Sequence, residues 1–251
     1  LVSKGPSTAG GSLRVNITVL DELMTLAGEL VLTRNQLIQS IGSRDLDQID
    51  KASQRVDLVT SELQTSIMNT RMQPVGTVFN KFKRIVHDMS QDLKKEVDLS
   101  IEGEDVELDK TIIESISDPM THLIRNCVDH GIELPGVREQ AGKSNPAQVL
   151  IKAYHEAGQV IIDVKDDGQG IDPQRIAAKA LERNMFSEKE LSEMSESELI
   201  KLILTPGFSL AKAVTDISGR GVGMDVVNNN ITRLGGTIDI DSHVGVGTTI
   251  R

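Results

Sequence analysis

Two long stretches of helical periodicity constrain the fold of this 251-residue chain more than any other feature. Within Thr18–Ile41, apolar residues recur at alternating four- and three-residue steps, and a second register over Leu20–Val31 widens the stripe. The pattern breaks at Gly42, resumes over Asp45–Thr70 and stops before Pro74. The spacing predicts two helices of about 24 to 28 residues, joined by a short turn as an antiparallel hairpin.

Such a hairpin cannot close a hydrophobic core by itself, because each helix has a broad apolar stripe and only one partner helix. One solution is that the hairpin packs on the rest of the chain. The other is a four-helix bundle made by two copies of the chain, and the width and length of the stripes favour it. We therefore expect residues 13–75 to be a dimerisation domain, preceded by a flexible leader over residues 1–12, which are rich in Ser, Gly and Thr.

After Pro74 the pattern alternates between helices and strands. Helices are predicted at Val75–Leu93, Thr111–His130 (with a kink or restart at Pro119), Asp172–Asn184 and Met224–Leu234. Strands are predicted at Val97–Ile101, at Val149–His155 and Gln159–Lys165 as a hairpin, and at Thr237–Asp241 and Thr248–Arg251. Capping boxes, Ser187 with Glu190 and Ser195 with Glu198, each begin a short helix. This order predicts an α+β fold, with the second domain over residues 76–251.

Composition argues against several classes of function. The net charge of −10 argues against a general nucleic-acid or anionic-membrane surface, and 2% aromatic residues argue against base stacking. Cys127 is the one cysteine, so no disulfide framework is possible, which fits a reducing compartment. Without a transmembrane-length apolar run or a signal peptide, we expect a cytoplasmic protein that does not insert into membranes. Because the chain starts without Met and stops at Arg251 inside a predicted strand, we expect it to be a fragment.

The helix predicted around residue 120 has two contrasting faces. Its buried stripe consists of Ile113, Ile116, Met120, Leu123 and Cys127. The other face carries His122, Asn126, Asp129 and His130 at i, i+4, i+7 and i+8. An amide, a carboxylate and two imidazoles are groups that orient ligands or bind metals, whereas an ordinary wet face shows Lys and Glu. Taken alone, this face also fits ordinary surface or a supporting polar network.

A glycine loop with a carboxylate follows the predicted strand Gln159–Lys165. Asp166 stands at the strand end, and Gly168 and Gly170 follow it. This arrangement allows a ligand to lie against the backbone while the carboxylate accepts a hydrogen bond from an amine. An ordinary turn rich in Asp and Gly is the alternative.

A second glycine loop, Gly219–Gly223, opens the helix predicted to begin at Met224. Glycines at this place let backbone N–H groups approach a phosphate, and the helix N-terminus adds partial positive charge. The loop fits neither a Rossmann pattern, which needs a preceding apolar strand, nor a P-loop, which needs a following Gly-Lys-Ser/Thr. A third short motif, Gly245–Thr248, predicts a tight hairpin.

The order and spacing of these motifs resemble the nucleotide-binding fold (GHKL) shared by histidine kinases, type II topoisomerases, heat-shock chaperones and mismatch-repair ATPases. Within that superfamily, His122–Glu133, Pro206–Ser209 and Ser218–Val227 resemble the chemotaxis histidine kinases of the CheA family, as does the preceding helical hairpin. The resemblance covers nearly everything over Leu13–Arg251. It implies that the second domain is an α/β sandwich with a mixed sheet.

The resemblance also implies roles for individual residues. Asn126 would be the Mg²⁺ ligand, His122 stands where hydrolysing relatives carry a Glu that activates water, and both are implied to be catalytic. Asp166 would accept from the adenine amine. The other residues implied to contact the nucleotide are Asp129, His130, Gly168, Gly170, Ile171, Arg175, Lys179, Ser209, Lys212, Gly219, Arg220, Gly221, Gly223, Met224 and Thr248.

Some positions depart from the family pattern. Arg175 stands where relatives often carry Lys, which keeps the charge but alters its reach. Ala211 stands where some carry a phosphate-facing Lys, and the adjacent Lys212 is a candidate substitute. Pro206–Ser209 would belong to a mobile lid between residues 184 and 218, and His87 lies outside every motif, as a surface histidine would.

The implied function is ATP-dependent phosphorylation of a histidine on a separate phosphotransfer domain, with ATP or ADP and Mg²⁺ bound. The implied partners are a second copy through residues 13–75, the phosphotransfer domain, and an adaptor and chemoreceptors reached through regions beyond this chain. One alternative is an ATP-hydrolysing machine of the gyrase or chaperone type, against which His122 argues. The other is a non-catalytic dimerising module, against which Asn126, Asp166 and the loop glycines argue.

Overall fold

The computed structural model describes residues 17–208 and 223–251. The chain divides into two units between Met72 and Gln73. The first unit contains two helices, α1 (Ile17–Ser43) and α2 (Leu46–Asn69), which pack against each other as the predicted hairpin. Arg44 adopts a positive φ in the turn, and Asp45 caps α2 by accepting from the Gln48 backbone N–H at 3.1 Å.

The seam between α1 and α2 follows a seven-residue repeat. Its buried side chains are Leu26, Thr33 and Ser40 on α1 and Ala52, Val59 and Ser66 on α2. The Thr33 and Ser40 hydroxyls donate to carbonyls one turn earlier, each at 2.9 Å, which satisfies these two polar groups inside the seam. The second register behaves differently: Leu20, Met24 and Val31 are exposed.

A five-stranded mixed sheet forms the centre of the second unit. The strands in chain order are β1 (Met72–Pro74), β2 (Val97–Glu102), β3 (Glu107–Asp109), β4 (Ala147–Glu156), β5 (Gln159–Asp166), β6 (Ile240–His243) and β7 (Gly247–Ile250). The large sheet has the order β2-β4-β5-β7-β6, with β2 parallel to β4 and the other neighbours antiparallel. The short strands β1 and β3 pair separately.

Helices bury one face of this sheet. The helices described in this unit are α3 (Gly76–Asp92), α4 (Lys110–Asn126), α5 (Pro135–Gln140), α6 (Pro173–Glu182), α7 (Glu188–Glu193), α8 (Glu196–Lys201) and α9 (Met224–Arg233). Inward residues of β4 such as Val149 and Ile151 are fully buried, whereas their neighbours Gln148 and Lys152 are exposed. The core is almost wholly aliphatic, as the low aromatic content requires.

The structure confirms the predicted α+β class and mixed sheet, and it corrects several local predictions. The β4–β5 hairpin and both capping boxes are present, and α4 runs through Pro119 without a break. The helix predicted to reach His130 ends its α-helical part at Asn126 and continues as a π-helical turn. The strand predicted at Thr237–Asp241 begins three residues later and ends two residues later, because pairing with β7 sets its register. Among the described residues, no helix is long and apolar enough to cross a membrane.

Candidate functional site

The polar face of α4 lies at the centre of the candidate site. All five predicted stripe residues, including Met120 and Cys127, are buried in the core, so the opposite face is turned away from it. The π-helical turn Cys127–Gly131 changes the spacing beyond Asn126. Asp129 and His130 lie within this turn and are both exposed, with His130 Nε2 3.7 Å from the Asp129 carboxylate.

His122 is half-buried on this face. Desolvation by burial lowers the pKa of its imidazole below the ordinary value, and the nearby charges of Arg125 and His130 lower it further. Asp225 at the start of α9 acts in the opposite direction but does not outweigh them. The lowered pKa favours the neutral imidazole, which can donate from one ring nitrogen and accept at the other.

Asn126 lies against the N-terminal end of α9. Its amide nitrogen donates to the Met224 sulfur at 3.3 Å, and Gly223 is the residue that caps α9. This contact brings the α4 amide next to a helix N-terminus, whose free N–H groups favour an anion. The structure thus brings together three predicted site residues from the two motifs: Asn126, Gly223 and Met224.

Asp166 ends β5 and is 3% exposed. Its carboxylate accepts from the backbone N–H of Gly168 at 2.9 Å. Burial raises the pKa of Asp166 above the ordinary value, although the Gly168 N–H, the Cys127 thiol and the Thr248 backbone act to lower it. A buried carboxylate oriented by a backbone donor can accept from a ligand that offers a further N–H.

The glycines after Asp166 are required by contacts within the protein itself. A Cβ at Gly168 would lie 2.1 Å from the carbonyl oxygen of Gly131, at the end of the π-helical turn. Gly170 has a φ of +72°, and a Cβ there would lie 2.2 Å from the His243 carbonyl oxygen. The sequence predicted that these glycines make room for a ligand, and the structure adds that they let the loop pack against two neighbouring segments.

Thr248 and Ile171 meet at a buried serine that the sequence did not single out. Ser242 Oγ accepts from the Ile171 backbone N–H at 2.9 Å and lies 2.9 Å from Thr248 Oγ1. Ser242 and Thr248 are each 7% exposed. This hydroxyl pair joins β6 and β7 to the glycine loop, and only strand pairing brings it together.

The two predicted phosphate-binding cations lie on α6. Asp172 caps this helix through the Gln174 backbone N–H, and Arg175 is exposed. Lys179 forms an ion pair with Glu182 at 3.0 Å, and its side chain is 18% exposed. Lys179 would therefore have to leave Glu182 to reach a phosphate.

Part of the predicted site falls outside the described residues. Ser209, Lys212, Gly219, Arg220 and Gly221 are the site residues concerned. The segment predicted to be a lid is described from Asn184 to Phe208, and part of it packs on the core. Its helices α7 and α8 bury Leu191 and Leu199 in the core, and Phe208 is fully buried.

Four charged residues beside the glycine loop were missed by the sequence analysis. Glu133, Arg138, Lys143 and Asp167 form one ion cluster, in which Arg138 is 1% exposed. Arg and Lys normally lie at the surface, so nothing local in the sequence marks these two as buried. The sequence pattern identifies Glu133 only as the last residue of the motif His122–Glu133.

Chemically, the site has an acceptor end and an anion end. Asp166 supplies a buried acceptor, and Asn126 lies beside the α9 N-terminus. Among the described residues, no group of three or more His, Cys, Asp or Glu side chains could hold a metal ion. A metal here would thus depend on the Asn126 amide oxygen together with oxygens of the ligand and water, a donor set that suits Mg²⁺.

Two sequence models of known protein families match this chain. Residues 115–251 match the sequence model of the histidine kinase-, DNA gyrase B- and HSP90-like ATPases. Residues 11–70 match that of the homodimeric domain of signal-transducing histidine kinases.

Two similar relatives are chemotaxis proteins. The sensor histidine kinase CheAY of Helicobacter pylori is 48% identical over 95% of this chain and 31% of its own length. The chemotaxis protein CheA of Bacillus subtilis is 45% identical over 96% of this chain and 36% of its own length. The chain thus spans about a third of the length of these relatives.

Among solved structures, the histidine kinase domain of a blue-light activated kinase from Erythrobacter litoralis covers 90% of this chain and 93% of its own. Its sequence identity is 15% and its TM-score is 0.40. The assignment therefore rests on the match over residues 115–251, which is more than half of the chain. This chain belongs to the histidine kinase-, DNA gyrase B- and HSP90-like ATPases, which implies a nucleotide-binding site in its second unit.

Proposed function

We propose that this chain is the dimerisation and ATP-binding part of a CheA-type histidine kinase, which transfers the γ-phosphoryl group of Mg·ATP to a histidine on a separate phosphotransfer domain. The observation that carries the proposal is the buried Asp166 carboxylate, oriented by the Gly168 backbone N–H beside the helix that presents Asn126. An acceptor fixed at one end and an anion site at the other suit a purine nucleotide with a phosphate chain.

In this proposal the protein supplies positioning and charge neutralisation. Asp166 accepts from the exocyclic amine of adenine, and Thr248 supports that end through Ser242. Asn126 would hold Mg²⁺ through its amide oxygen, and the bound ion would neutralise charge on the phosphates. His122 lies on the same helix face, where hydrolysing members carry a Glu that activates water. Because His122 stands in place of that carboxylate, attack by the acceptor histidine is favoured over hydrolysis.

The remaining residues would act at the phosphates and around them. Arg175 and Lys179 would approach from α6. The glycine loop that ends at Gly223 would surround the phosphates, together with Asp129, His130, Ser209, Lys212, Gly219, Arg220 and Gly221.

The hairpin would make the protein a dimer. The exposed second register of α1 gives each copy an apolar surface, and a four-helix bundle of two hairpins would cover it. We assign the hairpin to residues 13–75, the nucleotide-binding domain to residues 76–251 and a leader to residues 1–12. We also propose the cytoplasm as the location, and adaptor proteins and chemoreceptors as partners of the whole protein.

The test is a phosphotransfer reaction in trans. The full chain is mixed with γ-labelled Mg·ATP and a purified phosphotransfer domain from a CheA relative. The expected product is acid-labile, base-stable phosphate on that domain. If inorganic phosphate is released but the phosphotransfer domain is not labelled, the chain is an ATP-hydrolysing protein. If ATP is not turned over at all, the chain is a non-catalytic module.

A further inference from the structure

The ion cluster of Glu133, Arg138, Lys143 and Asp167 lies between the end of the α4 polar face and the loop that follows Asp166. The side chains of Arg138, Glu133 and Lys143 are 1%, 10% and 15% exposed. Two carboxylates oppose two cations, so the cluster has no formal net charge. Buried ion pairs seldom make a fold more stable than apolar side chains in the same place would. This favours a role for the cluster in positioning its neighbours.

The guanidinium of Arg138 uses all five of its N–H groups. Nε and Nη2 donate to the Ser144 carbonyl at 3.0 and 2.9 Å. Nη1 donates to Glu133 at 3.1 Å and to the Asp167 carbonyl at 3.3 Å, and Nη2 also donates to the Asp167 carboxylate at 2.7 Å. Arg138 is thereby held by the carbonyl of Ser144, and it binds both the side chain and the backbone carbonyl of Asp167.

The ammonium of Lys143 is directed at the same loop. It donates to Glu133 at 2.8 Å and to the backbone carbonyls of Asp167 and Gly168 at 3.0 and 2.6 Å. The next residue, Gln169, donates its backbone N–H to the Gly131 carbonyl at 2.8 Å. The backbone from residue 167 to residue 169 is therefore held on one side by cations and on the other by the end of the π-helical turn.

We propose that Lys143 and Arg138 are positioning residues for purine recognition, because they fix the peptide whose N–H orients the Asp166 carboxylate. That N–H belongs to Gly168 and donates to Asp166 Oδ1 at 2.9 Å. The same peptide carries the Asp167 carbonyl, which accepts from both Lys143 and Arg138, so a shift of this carbonyl would move the Gly168 donor and turn the carboxylate. The inference rests on the proposed role of Asp166 and assigns the purine preference to a cluster that does not touch the purine.

The experiment compares Lys143→Met with Lys201→Met in the full chain. Methionine keeps most of the length of the lysine stem while removing its ammonium. Lys201 is a matched control, since it also forms an ion pair in the second unit, with Asp239 at 2.7 Å, but not at the glycine loop. Calorimetric titration measures the affinities for Mg·ATP, Mg·GTP and magnesium tripolyphosphate, which has no base.

The Lys143 variant is expected to lose about tenfold in affinity for ATP, the effect of a charged hydrogen bond, and about the same factor in ATP preference over GTP. Its affinity for tripolyphosphate should stay at the wild-type value, and Lys201→Met should change none of the three. A purely structural role would lower all three affinities by one common factor, because it reduces only the folded fraction.

The outcomes separate this inference from the proposed function. If the wild-type chain binds ATP and GTP equally, both the adenine role of Asp166 and the positioning role are wrong. If the wild type prefers ATP and Lys143→Met keeps the full preference, only the positioning role is wrong. If circular dichroism shows that Lys143→Met is unfolded, the ratio of the ATP and GTP affinities is measured for Lys143→Gln instead. A wild-type ratio in Lys143→Gln overturns the inference.

Discussion

The hairpin and the nucleotide-binding unit solve the problem of burial in different ways. Among its described residues, the hairpin buries three apolar side chains, Leu26, Ala52 and Val59. The second unit buries one continuous aliphatic cluster that draws on its central sheet and on helices from α3 to α9. Within the described part of the chain, the two hairpin helices pack mainly on each other, whereas α4 packs on both α3 and α9.

This difference between the two units shows that the width of an apolar stripe indicates how many partners a helix needs. On α1 the exposed residues Met24 and Val31 lie about 140° to 160° around the helix from the Leu26 seam, at 100° per residue. One partner helix cannot cover so wide a stripe. The second unit is therefore expected to fold by itself, and the hairpin to depend on association with a second copy. The predictions below test that contrast, beginning with the largest effect.

Asn126→Ala is expected to reduce phosphotransfer by about a hundredfold or more, as loss of a single stabilising group at a reaction centre commonly does. Asn126 lies off the buried stripe, so folding and dimerisation should be unchanged. The rate of labelled phosphate transfer in trans measures the first expectation, and sedimentation measures the second. Transfer at the wild-type rate would show that Asn126 is not the metal ligand.

Met24→Glu should weaken dimerisation by about tenfold to a hundredfold, because each symmetric interface would bury two unpaired carboxylates. We choose Met24 because it is 68% exposed, whereas Leu26 and Val59 lie in the seam and a charge there would unfold the hairpin itself. Sedimentation over a range of concentrations measures the effect.

The matched control for the hairpin is Gln39→Glu, which adds the same charge at an exposed polar position of α1. It should leave the dimer intact. Affinity for ATP should be unchanged in both variants, since the second unit has its own core. A Met24→Glu protein that remains a wild-type dimer would place the exposed register outside the interface.

Asp166→Ala is expected to lower ATP affinity by about tenfold and to reduce discrimination against GTP. ATP binds more weakly because the exocyclic amine of adenine loses its acceptor. Discrimination against GTP falls because the carboxylate no longer faces the carbonyl that guanine has at that position. Paired calorimetric titrations give both quantities. Dimerisation should not respond, which would sharpen the contrast between the two units.

The smallest expected effect is on pH dependence. Burial raises the pKa of Asp166, so its protonation begins at a higher pH than for an ordinary Asp, and ATP affinity should fall severalfold on mild acidification. The free energy of unfolding of the ligand-free protein changes with pH in the opposite direction. Asp166 stabilises the fold at a pH below its ordinary pKa, and this contribution is lost as the pH rises through the raised pKa.

Asp166→Asn should abolish this acidic loss of affinity. His122 is the second group to control, because its lowered pKa delays its protonation to a pH below that of a free imidazole. A His122→Gln variant that retains the acidic loss would assign it to Asp166. An unchanged pH profile in Asp166→Asn would assign it elsewhere.

The sequence by itself determined the features that depend on local chemistry. The two long helices, both capping boxes and the hairpin at Ala157-Gly158 follow from periodicity, side-chain caps and turn residues. The order of the motifs was sufficient to indicate the family. These signals succeed because each is confined to a few neighbouring residues.

Only the tertiary structure decided which of two apolar registers is buried, since both satisfy the helical period. It also decided where α4 gives way to the π-helical turn, and with it the exposure of Asp129 and His130. Arg138 could not be recognised as buried, because its acceptor at Asp167 lies 29 residues away. Contacts between such distant residues depend on the packing of the whole sheet and its helices, which no local pattern encodes.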